Sequence, residues 1–224
     1  MKPPIPHVHR HVFQEEIRRL REAVMQMGEA VDSAITRAVH GLAERDVQSC
    51  TEVIQGDRHV NNLQREVRDL CFTSLLTQAP VAGDLREVLT MLHMASELER
   101  MGDHAVSIAK IGRGLADLPE LDVYVAIPRL GDYCAEQVRD MLAAMVSRDA
   151  AQARAVAERD DRVDRVYHRV FDELVQVMMD NSDNVYRATN LVFVAHHLER
   201  IADRVTNLAE DMVWLETGVT EELG

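Results

Sequence analysis

An all-α fold of two tandem, pseudo-symmetric three-helix bundles is what this sequence predicts, and three observations predict it. The composition suits helices: 46% of the 224 residues are hydrophobic but only 4% aromatic, with 10 Gly and 6 Pro. Apolar residues recur at steps of three and four over long stretches, the mark of one buried helical face. The halves also repeat each other. Arg45-Asp46 recurs as Arg148-Asp149, and Asp57, Val60 and Asn61 align with Asp160, Val163 and Asp164, all at a spacing of 103 residues, while Glu99-Arg100 with Asp103 recurs 100 residues later as Glu199-Arg200 with Asp203.

The first helix is expected from Phe13, its stripe running through Ile17, Leu20, Val24, Met27, Val31, Ile35, Ala38 and Leu42. Asp46 restarts the pattern through Cys50, Ile54, Val60, Val67, Cys71 and Leu75, and Pro80 with Gly83 ends it. A third stripe is read through Leu85, Leu89, Leu92, Ala95, Gly102, Val106 and Ala109. Gly112 to Asp122, with Gly114 and Pro119, reads as a hinge. The fourth helix carries Leu130, Cys134, Val138, Met141 and Met145. A fifth opens at Asp149, with Gln152 completing a variant capping box, and runs through Val156, Val163, Val170, Leu174 and Met178. After a break at Asn181 to Asn184, the sixth uses Val185, Thr189, Val192, Ala195, Ala202, Val205 and Ala209. The two repeats are placed at residues 1–114 and 123–224, with short connections making neighbouring helices antiparallel.

Charge and cysteine content narrow the function. The formal net charge of −13 divides into −3 over residues 1–112 and −10 over residues 113–224, and Lys2 and Lys110 are the only lysines, so nucleic acid binding is not expected. Cys50, Cys71 and Cys134 are odd in number and lack CxxC spacing, which points away from a disulfide framework and toward a reducing compartment. No 18-residue apolar run and no secretory signal is evident, so a cytoplasmic location is expected.

The chemistry-bearing residues lie on the repeated segments. Residues four apart stand one above the other on a helix, so Glu99 with Asp103, and Glu199 with Asp203, each present two carboxylates at one place beside the packed stripe. Asp57 with Asn61, and Asp160 with Asp164, supply facing rows from the second and fifth helices. Carboxylates crowded at a packed surface repel and are costly to desolvate unless cations neutralise them, and an oxygen-rich set suits Mg, Mn, Fe or Zn. The bland alternative is salt bridging to Arg100, Arg200 or Arg162. Asn207 extends the second row where the first repeat has Ser107. His104, His196 and His197 sit beside the rows, and His7, His9 and His11 alternate near the start, where a tail or a helix start is the simpler reading. The Glu-x-x-His of ferritin-like di-iron sites and HExxH are both absent, and no Gly-rich loop opens a helix to cradle phosphate.

The segments 98–105, Leu-Glu-Arg-Met-Gly-Asp-His-Ala, and 198–205, Leu-Glu-Arg-Ile-Ala-Asp-Arg-Val, resemble the twice-repeated Glu-x-x-x-Asp signature of the PhoU family. The likeness reaches nearly end to end, including 80–86 before the third helix and 209–218 at the close. Asn61 stands where the family carries an acid, and Ser182 where a proline is expected. The resemblance implies two PhoU domains, metal held by the acidic rows, a homodimer, and no enzymatic activity. It also implies an adaptor that links a phosphate ABC transporter to a sensor histidine kinase, touches the membrane only through those partners, and represses the phosphate-starvation response when phosphate is plentiful. A carboxylate-rich helical metalloenzyme and a ligand-free scaffold are the competing readings: the first requires turnover, the second an unchanged melting temperature on metal addition.

Overall fold

The computed structural model describes residues 7–121 and 126–224, with side chains from His11 onward; His7 and His9 lie outside the described side chains, and Asp122, the end of the expected hinge, outside the described residues. Helices α1 (His7–Ala43), α2 (Val47–Gln78) and α3 (Gly83–Leu115) form the first bundle. The second comprises α4 (Ala126–Ser147), α5 (Ala150–Ala157), α6 (Asp160–Asp180) and α7 (Val185–Thr217), with a 3₁₀ turn at Ser182–Asn184. Among the described residues there is no strand, and no helix is long and apolar enough to cross a membrane.

All nine stripe positions of α1 are buried, from Phe13 to Leu42. This helix packs on α2, α3 and α4, which leaves it a broad apolar face. The stripe read for α3 is buried at Ala95, Gly102, Val106 and Ala109 and needs correcting at Leu89, which is exposed; the buried face also takes in Val88, Met91, Met94, Leu98, Met101, Ala105 and Ile108. The reason is position. α3 is wedged between α1, α2 and α7, so apolar residues wrap most of its circumference and a single stripe selects only a margin. Val185 is likewise exposed at the start of α7.

Two more differences have physical causes. The hinge is shorter than expected, because α3 continues through Gly112 and Gly114 to Leu115. At Gly112 a Cβ would stand 3.1 Å from Cys50 Sγ and 3.2 Å from the Leu42 backbone, so this glycine serves a close helix approach and not a break. The expected fifth helix is two. At Arg159 the backbone tightens to 3₁₀-type bonds, Arg159 N donating to Val156 O and Arg162 N to Arg159 O. Arg159 reaches α4 there, pairing with Asp140 at 2.6 Å and Glu136 at 3.5 Å, and the break places Asp160 and Asp161 in the first turn of α6, where the helix dipole favours acids.

The Arg-Asp repeat proves to be a turn motif. Arg45 and Arg148 both take left-handed φ, 57° and 55°, and Asp46 and Asp149 then cap α2 and α5. Asp149 Oδ1 accepts from the amides of Ala151 and Gln152, but Gln152 does not reach back: its carbonyl accepts from Ser147 and the Asp149 amide is taken by Ala144 O. The capping box is thus half formed.

Pseudo-symmetry organises the joint between bundles. α1 packs on α4 and α3 on α7. Gly28 in α1 receives Leu142 of α4, and Gly131 in α4 receives Val39 of α1; both pairs are related by the 103-residue spacing. α3 and α7 run antiparallel, as their cross-contacts show: His93 to Asp211, Glu97 to Arg204, His104 to His197. The latter two pairs exchange under the 100-residue spacing, 97 with 197 and 204 with 104. One side of the pseudo-twofold therefore holds an ion pair and the other a pair of imidazoles.

Candidate functional site

Each repeat faces one acidic row with another, as the spacing predicts. In the first, Asp57 and Asn61 on α2 adjoin Glu99 and Asp103 on α3; burial pushes the carboxyls of both Glu99 and Asp103 up, and the charge of Asp57 adds to each. Asn61 Nδ2 donates to Asp57 Oδ2 at 2.7 Å, so the amide that replaces an acid here satisfies its neighbour. In the second, Asp160 and Asp164 on α6 adjoin Glu199 and Asp203 on α7. Burial, then the charges of Asp164, Asp203 and Glu199, push Asp160 from 3.8 to about 6. Glu199 and Asp203 are raised as well, again mainly by burial.

Salt bridges answer only part of this charge. Arg200 Nη1 lies 2.7 Å from Asp203 Oδ2, and His196 Nδ1 lies 3.4 Å from Glu199 Oε2. Arg100 turns instead to Glu97 at 3.7 Å, and Arg162 stacks over the Tyr133 ring, 3.6 Å from its centre. Glu99, Asp160 and Asp164 have no salt bridge among the described residues. Oε2 of Glu199 is buried without a hydrogen-bond partner, a cost of about 1–3 kcal/mol for a polar group and more for a charge. A buried carboxylate oxygen with no hydrogen bond, its nearest basic group the His196 ring at 3.4 Å, beside three further acids fits a cation. As the side chains stand, no three His, Cys, Asp or Glu groups among the described residues are close enough together to hold one ion, so rotamer changes would accompany binding.

The raised carboxyl of Asp160 makes a sign-definite prediction. A folded-state pKa above the unfolded one means that the native state binds the proton more tightly, so stability falls as pH rises between about 4 and 6 and stays low above that window. In metal-free protein, Asp160→Asn should flatten this fall and raise the melting temperature at pH 7 relative to the parent. A melting curve set over pH 4 to 7 checks it, and an identical pH slope in the variant would refute it.

Sequence reading had not singled out Glu97 and Arg204 at the α3/α7 crossing, and had set Asn207, His104 and His197 with the acidic rows, whereas Asn207 turns to Glu97 and the two histidines to each other. Glu97 is 3% exposed and accepts from Asn207 Nδ2 at 2.7 Å and Arg204 Nη1 at 3.2 Å. Its signal was an acid embedded between Ala95 and Leu98 in the most buried helix. His104 and His197 meet Nδ1 to Nδ1 at 3.1 Å, one donating and the other accepting; burial, with each other's proximity and nearby arginines, drives His104 down to about 4 and burial lowers His197. These histidines join the repeats and do not extend the acidic rows.

Comparison with known proteins bears on the family and the fold. The family model for the PhoU domain matches the chain twice, over residues 24–112 and 127–212. The chain belongs to the PhoU family. A PhoU homolog of Clostridium acetobutylicum, described as a phosphate-specific transport system accessory protein, is 33% identical over 215 residues, covering 96% of this chain and 98% of that protein. One from Aquifex aeolicus with the same description is 36% identical over 204 residues, covering 91% and 92%. Among solved structures, PhoU from Pseudomonas aeruginosa superposes with a TM-score of 0.90 at 30% identity, over 92% of this chain and all of that one. The phosphate transport system regulatory protein PhoU from Streptococcus pneumoniae gives 0.88 at 28% identity, over 94% and all of its chain.

Proposed function

We propose that this PhoU-family chain is a cytoplasmic accessory regulator of phosphate transport, acting as a metal-bearing adaptor between a phosphate ABC transporter and a sensor histidine kinase and holding the starvation response off while phosphate is plentiful. The observation that carries the reading is the PhoU domain found twice along one chain, with relatives of near-equal length described as accessory proteins of phosphate-specific transport. The protein works as a homodimer and needs no turnover: its contribution is a rigid helical surface with charge at fixed places.

Asp57, Asn61, Glu99 and Asp103 would hold metal in the first repeat, and Asp160, Asp164, Glu199 and Asp203 in the second. A divalent or iron-type ion would neutralise carboxylates that the fold has desolvated. The second repeat is the stronger site, because all four of its groups are acids and Asp160 is the most strongly perturbed of them, whereas Asn61 already serves Asp57 internally.

The test is the double variant Glu199→Ala with Asp203→Ala. Metal content by elemental mass spectrometry should fall, the rise in melting temperature on adding Mn should shrink, helix content should persist, and phosphate-dependent repression in cells should be lost. Unchanged repression with reduced metal would remove the adaptor role of this face, and unchanged metal would remove the site.

A further inference from the structure

Beyond α7 the chain folds back on its own bundle. At Gly218 the backbone turns left-handed, φ 75°, its amide donating to Trp214 O at 2.9 Å, and Thr217 Oγ1 accepts from the Val219 amide at 3.1 Å, so the direction reverses. Residues 219–224 then return along the seam between α5 and α7. Glu221 takes two arms of the Arg154 guanidinium on α5, Nε at 2.8 Å and Nη2 at 2.6 Å, and the Leu223 amide donates to Glu210 Oε1 on α7 at 3.0 Å. Leu223 is half-buried against the hydrophobic core, and Gly224 lies beside Thr206, where an added Cβ would stand 3.2 Å from Thr206 Cγ2.

This returning segment approaches the second acidic row from one end. Glu199, Asp203, Thr206 and Glu210 follow at steps of four, three and four, so they share one face of α7. The segment touches the last two and reaches Thr206, which lies about 4.5 Å from Asp203 along the axis at a rise of 1.5 Å per residue. The first repeat lacks the groups that fasten it. Where the second has Arg154, Thr206 and Glu210, the first has Thr51, Val106 and Lys110. Lys110 instead brings its own charge to the first row: burial and the charge of Asp57 push the Asp103 carboxyl up, and Lys110 draws it down.

We propose that residues 219–224 are a strap that closes one end of the second acidic site and slows exchange of the cation held there, with Arg154 and Glu210 as its positioning residues. A bound ion leaves as water or a competing ligand approaches it, and a chain segment carrying an apolar residue at the rim restricts that approach. The Arg154–Glu221 pair is about one-third exposed on each side, so its hold is modest and the strap can open. The two sites thereby differ in kind: the second retains its cation behind a strap, whereas the first exchanges freely and has the Lys110 ammonium as a competitor. The inference rests on the metal reading of the second repeat, but docking of the strap can be read without metal.

Zinc is the probe. Full-length protein loaded with Zn²⁺ is mixed with excess chromogenic chelator, and release is followed by absorbance. Two phases are expected, the slower one missing from Glu199→Ala with Asp203→Ala. Deletion of residues 219–224 should speed the slow phase by about tenfold and leave the fast phase unchanged. Should the deletion fold poorly, Glu221→Arg and Arg154→Glu each release the strap and should speed the slow phase several-fold, and combining them, which rebuilds the pair in reverse, should slow it again. Hydrogen exchange at the Leu223 amide, slow in the metal-free parent and faster in Glu221→Arg, reports docking directly. A single release phase, a slow phase indifferent to the strap variants, both phases speeding alike, or a Leu223 amide unprotected in the parent would each overturn the strap and leave the metal reading standing. Absence of bound zinc from every variant would overturn both.

Discussion

Arg204→Met is expected to cost this protein about 3–5 kcal/mol, because it strands a charge and not because it loses a favourable pair. Glu97 is 3% exposed, and its carboxylate accepts from Arg204 and Asn207, with Arg100 farther off at 3.7 Å and largely in solvent. Without Arg204 the buried carboxylate keeps one amide donor, with the Asp211 carboxyl also near it, and must stay charged at high cost or take up a proton. The double variant Glu97→Leu with Arg204→Met removes both charges and should return most of the loss. Equilibrium urea denaturation at one protein concentration, which holds any contribution of self-association fixed, measures both. A contrast sharpens the test. At the pseudo-equivalent point His104 and His197 are both held neutral by burial, so truncating either leaves no buried charge and should cost only about 1 kcal/mol. Equal losses at the two points would mean that volume and not charge governs this crossing.

The sequence disclosed the architecture where one face of a helix is buried and obscured it where several are. The α1 stripe is buried at every position named, since three and four residue steps pick out a single broad face. α3 was legible only in part: Ala95, Gly102, Val106 and Ala109 of its stripe are buried, while apolar residues wrap more of this helix than one stripe can cover. Gly112 and Gly114 were mistaken for a boundary because glycine signals both a break and a close approach, and only the proximity of Cys50 and Leu42 decides between them at Gly112. The break at Arg159 carried no Pro or Gly to announce it; it coincides with ion pairs to α4 that lie far off in sequence.

The acidic rows were legible because spacing of four on two helices, repeated, sets the geometry before any packing is known. Which carboxylates would lack partners was not legible. Arg100 and Arg162 were candidates by proximity in sequence, yet one turns to Glu97 and the other to Tyr133, which leaves Glu99 and Asp160 without salt bridges among the described residues.

Gly131→Leu should be the other severe substitution, at more than about 3 kcal/mol, and alanine at the two pseudo-equivalent glycines should separate cleanly. A Cβ at Gly131 would stand 2.7 Å from both methyl carbons of Val39, whereas one at Gly28 would overlap the δ-carbons at the end of the Leu142 side chain. Valine is β-branched and confined to essentially one rotamer in a helix, so Val39 cannot swing aside and α1 must retreat from α4. Leu142 can rotate. Alanine in a helix interior gains about 1 kcal/mol over glycine, which offsets the repacking at Gly28 and leaves Gly28→Ala near neutral. At Gly131 the overpacking of about 1–3 kcal/mol exceeds that gain, and Gly131→Ala is destabilising. Val39→Ala should then restore Gly131→Ala, giving a favourable coupling in the double-mutant cycle of denaturation free energies. Zero coupling would mean that α1 and α4 already yield at this point, and the joint between the repeats would then rest on the α3/α7 crossing alone.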